Sequence, residues 1–155
     1  MHGNLSEVAK DFVNSPVRAM ESLKLKSGLK IYDLKKLDCI GFLLVVFYHT
    51  NLGEINYQSF IENSLYRPSE KSYIQNTIEE FVSKNPIFYI TENLEPIANS
   101  ILVFILDGGY LHFGFCEIEN KIPYIIHANS AVKKVTREIL SDDLKKFLIN
   151  IIAIK

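Results

Sequence analysis

From residue 101 to the end, the chain is a series of short β-rich apolar runs cut by turn residues. No other feature restricts the fold as much. Residues 101–106, 110–118, 124–128 and 132–138 each have the length and composition of a strand, and 149–154 read as a closing one. Gly108-Gly109 sits between the first two runs and Asn120-Lys121 between the next two, both read as two-residue hairpin loops. Strands joined by such loops lie antiparallel and side by side, which makes this part of the chain a meander. Ser141-Asp142-Asp143 marks a short helix through Phe147 before the last strand.

The first two-thirds reads differently. Ser6 before residues 7–13 suggests an N-capped helix, and Pro16 suits the first turn of a second one. Residues 23–36 alternate Leu and Lys around one Gly and read as a loop or an irregular strand. Residues 40–48 are uniformly apolar, which fits a buried helix. Asp38 stands as its N-cap or first-turn acid, and Asn51 or Gly53 as its stop. Residues 60–65 and 73–82 read as amphipathic helices ending before Asn85-Pro86. Helices first and an antiparallel sheet second is an α+β arrangement, and no linker or repeat divides residues 1–155 into more than one domain.

Composition narrows the function. Seventeen basic and 18 acidic side chains give a net charge of -1, so nothing favours a nucleic acid partner. The longest apolar runs fall well short of the roughly 20 residues that span a bilayer. The first twenty residues are polar and charged, so neither a signal peptide nor an anchor is expected. That implies a cytoplasmic protein or export by a route without a signal. Two cysteines, Cys39 and Cys116, are expected as free thiols in a chain long enough to build its own core.

Cys39 opens the predicted buried helix, where unpaired backbone N–H groups and the helix dipole favour an anion. Such a position lowers a thiol pKa and offers donors to an oxyanion. Gly41 is expected to leave space for close approach to the helix start. Asn120-Lys121 as a two-residue loop pairs Glu119 with Ile122, which puts His112 opposite Asn129 and His127 opposite Gly114. The two histidines are then diagonal neighbours on one face, roughly 7–8 Å apart at Cα, with Gly114 leaving room between them. Cys116 shares that face and reads as a small buried hydrophobe. Cys39, Cys116, His112 and His127 have neither CxxC nor HxxxH spacing, so no metal site and no cofactor are expected. Lys133, Lys134 and Arg137 read as a solvated strand edge.

The stretch Leu37-Asp38-Cys39-Ile40-Gly41-Phe42 resembles the Asp-Cys-Ser-Gly-Leu/Phe signature around the nucleophile of NlpC-like cysteine peptidases. His112-Phe113-Gly114-Phe115 resembles that family's His-Val-Gly-Ile strand, and Ile125-Ile126-His127-Ala128 its later Ile-His-Ala strand. Ser100-Ile101-Leu102-Val103-Phe104 is similar to its Gly-Asp-Leu-Val-Phe strand, and the four motifs stand in family order. Ile40 replaces the usual Ser, and Asn99-Ser100 the usual Gly-Asp. The resemblance implies a papain-like fold in which the Cys39 helix packs on the sheet carrying His112. It implies a catalytic triad in which Cys39 attacks a carbonyl, His112 is the general base and His127 orients it. Tyr32 and Asp38 are carried as substrate-binding candidates, and residues 57–84 as a helical insertion that shapes a cleft or binds a protein inhibitor or partner. The implied substrate is a peptide or peptidoglycan fragment cleaved at an amide bond. Two other functions fit the same residues: a papain-like acyltransferase or hydrolase of another amide or thioester, and an inactive binding module.

Overall fold

The computed structural model describes residues 4–50, 52–62 and 70–155. Its first helix, α1 (Leu5–Lys10), starts earlier than Ser6 implied. Asn4 is the N-cap, its Oδ1 accepting from the Glu7 N–H at 3.1 Å. Ser6 turns inward instead and donates its hydroxyl to Asn99 Oδ1 at 2.7 Å. No helix begins at Pro16. Pro16 and Val17 make isolated bridges to Lys134 and Leu37, and these hydrogen bonds compete with a helical turn. Residues read as loop or irregular strand contain two short 3-10 helices, Glu21–Ser27 and Ile31–Asp33.

Helix α2 (Cys39–His49) is apolar all round and buried from Ile40 to Phe47, as a helix must be when other elements cover every side. α3 (Gln58–Glu62) and α4 (Lys71–Lys84) follow. The end of the predicted 60–65 helix, and part of the 57–84 insertion, lie outside the described residues. In α4 the buried positions Ile74, Thr77, Ile78 and Phe81 repeat at helical spacing, and the Phe81 ring stacks on Phe60 of α3 (4.4 Å) and Phe47 of α2 (5.9 Å). Asn85 closes α4 by donating Nδ2 to Phe81 O (2.8 Å) and Asn56 O (2.7 Å), and its Oδ1 accepts from Asn56 N (2.7 Å).

The strands are β1 (Phe88–Ile90), β2 (Ile101–Leu106), β3 (Tyr110–Glu119), β4 (Ile122–Asn129), β5 (Lys134–Ile139) and β6 (Leu148–Ile154), with α5 (Asp142–Lys145) before the last. They form a six-stranded antiparallel sheet in the order β1-β6-β2-β3-β4-β5. The protein is therefore α+β. β1 had no counterpart in the sequence pattern, because three residues are too few to show a period. Asn120 and Lys121 both have positive φ (51° and 67°), as a primed two-residue turn requires, and Glu119 pairs with Ile122. The β2–β3 loop is longer than expected. Leu106 pairs with Tyr110, so Asp107 joins Gly108 and Gly109 in a three-residue loop, with both glycines at positive φ.

Alternation along the strands gives the sheet two apolar faces. Val103, Phe113, Phe115 and Ile126 pack with α1, α2 and α4 on one face. Leu102, Phe104, Cys116, Ile125 and Ile151 point the other way and are covered by Leu140, Leu144 and Phe147. Among the described residues no helix is long and apolar enough to cross a membrane.

Candidate active site

The β3–β4 ladder runs from Glu119↔Ile122 to Phe115↔Ile126 and stops there, although both strands continue. Beyond that point β4 stays paired with β5, and β3 with β2. The start of α2 meets β3 at this opening: Cys39 Sγ lies 3.7 Å from the carbonyl oxygen of Leu111, the residue before His112. Cys39 and His112 line the same cleft of about 520 Å³, with Val17, Ala19, Met20, Tyr110 and Ser130 among its other walls.

Asp38 is the N-cap of α2. Its Oδ1 accepts from Gly41 N at 2.6 Å, and its Oδ2 accepts from the Ser22 N–H (3.1 Å) and hydroxyl (2.6 Å). Both carboxylate oxygens thus hold the helix start and the preceding 3-10 helix together, a positioning task rather than a substrate contact. Gly41 serves the same cap. A Cβ there would lie 2.9 Å from Asp38 Oδ1, so its missing side chain accommodates the aspartate rather than an incoming ligand.

The packing around Cys39 works against the expected acidified thiol. Burial, followed by the neighbouring Asp38 carboxylate, pushes the Cys39 thiol up to about 12, outweighing the backbone N–H groups that favour the thiolate. Burial, with the second imidazole beside it, pulls His112 down to about 3. Both effects favour a neutral thiol and a neutral imidazole in the cleft they share.

The expected pairs His112–Asn129 and His127–Gly114 do not form, because the ladder ends at Phe115↔Ile126, yet the two side chains meet across the opening: His112 Nε2 and His127 Nδ1 are 2.8 Å apart. Gly114 makes space, but for Ile125, whose side chain would clash with a Cβ at 2.6 Å. Sequence reasoning missed the next residue. Glu138 Oε2 lies 3.2 Å from His127 Nε2, though off the direction of a ring N–H, so the carboxylate meets the neutral ring as a charge–dipole contact rather than a directed hydrogen bond. Thr136 Oγ1 (2.8 Å) and Asn129 Nδ2 (3.2 Å) donate to the same Glu138 oxygen. Burial raises the Glu138 carboxyl, but the Thr136 hydroxyl and the His127 ring more than offset it and hold it below the ordinary glutamate value. His127 pairs with Thr136, so Glu138 is its diagonal neighbour across β4–β5, as His112 is across β3–β4. The signal was available in principle. It needed the β4–β5 register, which the 130–133 segment does not declare.

Other candidates fall elsewhere. Tyr32 is 62% exposed and lines a separate cleft with Tyr48 and Tyr57, away from Cys39. Cys116 is fully buried in the second apolar cluster, and burial raises its thiol to about 11. Arg137 is not a solvated edge. It pairs with Glu117 and Glu119 and lies 3.9 Å over the Tyr124 ring. Among the described residues no three His, Cys, Asp or Glu side chains converge as a metal site.

No protein-family model matches the sequence, and no curated protein matches it. Solved structures do. One is an N-acetylmuramoyl-L-alanine amidase from Bacteroides uniformis, 13% identical over 98% of this chain and 97% of that one, with a TM-score of 0.57. A Bacteroides fragilis protein provisionally named a xylanase is 15% identical over 96% and 100%, at a TM-score of 0.52. A Legionella pneumophila protein is 14% identical over 97% and 88%, at a TM-score of 0.50. Since these names differ, the shared architecture alone does not choose a reaction: the chain is similar to these proteins in fold.

Proposed function

We propose that the protein is a papain-like cysteine hydrolase, acting as one domain, that cleaves an amide bond of a peptidoglycan peptide through an acyl-enzyme on Cys39. The observation that carries this reading is the 2.8 Å contact between His127 and His112, the histidine that lines one cleft with Cys39. The likeness in fold to structures described as N-acetylmuramoyl-L-alanine amidases supports the choice of substrate class.

The contact dictates the tautomers. Nε2 of His112 faces His127, which leaves Nδ1 of His112 to take the thiol proton. Nε2 of His112 then carries the hydrogen and donates it to Nδ1 of His127, and the His127 hydrogen sits on Nε2, toward Glu138. The Cys39 proton passes to His112 as sulfur attacks the carbonyl carbon. Backbone N–H groups at the start of α2 stabilise the oxyanion, and the imidazolium returns its proton to the departing amine. Water then hydrolyses the thioester, with His112 again the base. Because the resting pair is neutral, proton transfer accompanies attack rather than preceding it.

Purified muropeptides incubated with wild type and Cys39→Ala, then analysed by mass spectrometry, test this. A Cys39-dependent cut at the lactyl–L-alanine bond or within the stem peptide is expected. Cys39→Ala should abolish turnover. His127→Ala should retain about two orders of magnitude more activity than the nucleophile variant, the gap seen for the third member of a serine triad. The raised thiol also fits a second reading, a binding module without turnover. Retention of muropeptides without any cleavage would favour it.

A further inference from the structure

The cleft over Cys39 continues past the sulfur. Val17, Ala19 and Ser130 are also walls of an adjoining hollow of about 400 Å³, whose other lining residues are Arg18, Lys36 and Lys133. Three cations and no carboxylate line it, in a chain whose net charge is -1. The three come from separate segments that backbone hydrogen bonds hold together: Val17 N donates to Lys133 O (3.0 Å), Arg18 N to Leu37 O (3.0 Å) and Leu37 N to Pro16 O (3.0 Å). Their charges are largely uncompensated. Arg18 reaches Glu21 only at 4.0 Å, and Lys24 engages the same carboxylate at 3.0 Å. Among the described residues no acidic partner pairs with Lys36 or Lys133. The carboxylates of the Cys39 cleft, Asp38 and Asp107, belong to walls the hollow does not share, and Asp38 is occupied by its cap.

We infer that the Arg18–Lys36–Lys133 hollow is a carboxylate subsite, and that the protein selects peptides bearing a free carboxylate beside the bond presented to Cys39. The inference rests on the cysteine-hydrolase reading for the position of that bond. Exposed cations clustered around one anion act mainly through Coulomb attraction, so their effect falls with salt. A stem peptide supplies such a group in two places, the α-carboxylate of a γ-linked D-glutamate and the C-terminus.

Three peptides separate them: L-Ala-γ-D-Glu-L-Lys, its D-isoglutamine form, and its C-terminal amide. kcat/KM is measured for wild type and for Arg18→Gln, Lys36→Gln and Lys133→Gln at low and high salt. Isothermal titration of the same peptides against Cys39→Ala protein reads binding without turnover. The free diacid should be preferred, and each substitution should lower its kcat/KM by roughly two- to fivefold through KM. Amidation of whichever carboxylate the hollow reads should abolish that sensitivity. Equal losses on charged and amidated peptides, or no binding preference for the diacid, would overturn the subsite. Charge-dependent binding with no cleavage of these peptides or of intact muropeptides would leave the subsite standing and remove the hydrolase reading instead.

Discussion

Glu138 shows how one exposed carboxylate can matter to a buried pair. Nearly half its side-chain surface is open, yet Thr136, Asn129 and His127 all converge on one of its oxygens. In the proposed mechanism it steadies the His127 N–H and, through it, the charge that His112 acquires. Glu138→Gln keeps the shape and removes the charge, so kcat should fall roughly tenfold with KM held, as outer-shell partners of catalytic groups commonly show. A change in KM alone would make Glu138 a cleft wall. Cys39 carries a second prediction at this scale. A thiol pushed up to about 12 should react with iodoacetamide at a rate that still climbs through pH 9. A plateau near neutrality would instead reveal a thiolate–imidazolium pair at rest.

At the level of elements, everything hangs on how α2 begins. The Asp38 cap binds Gly41 on one side and Ser22 on the other, so helix, 3-10 helix and sulfur share one anchor. Alanine in a helix is ordinarily better than glycine by about 1 kcal/mol. At position 41 the sign should reverse. The Cβ would meet Asp38 Oδ1 at 2.9 Å, and that oxygen is buried and hydrogen-bonded, so it cannot swing aside. Gly41→Ala should therefore destabilise by about 1–2 kcal/mol, as overpacking does, read by urea denaturation. Stabilisation would show that the cap relaxes freely.

For the whole molecule, buried His127 and half-buried His112 set an acid-side stability limit. His112 and His127 are both held below the ordinary histidine value, His112 at about 3, chiefly by burial. The unfolded chain therefore binds protons that the folded one refuses. Their contribution is fully present above the unfolded value near 6.5 and is lost as pH falls from there toward the folded values. Glu117 and Glu138, held below their own unfolded value of 4.5, add their losses only beneath it. Between about pH 6.5 and 4.5 the decline in Tm should thus belong to the histidines and be shallower in a His112→Gln, His127→Gln double variant. An unchanged slope would show that the pair is solvated.

Five of the six strands were legible because period-two alternation and turn residues are local properties, written into 101–154 wherever those residues end up; β1 was not. The Asn120-Lys121 turn set the β3–β4 register near the loop and put His112 and His127 on one face, while the opening beyond Phe115↔Ile126 decided how they meet. Asp38 as the cap of α2 was legible for the same reason: a cap is decided within a few residues. What local pattern could not carry was decided by distant chain. The Pro16–Lys134 and Val17–Leu37 bridges turned a predicted helix into a cleft wall, and the unheralded 130–133 turn brought Glu138 to His127. The thiol pKa lay furthest from the sequence, since a helix start favours a thiolate. Only tertiary packing set the half-buried Cys39 against β3, and desolvation there outweighs the helix's donors.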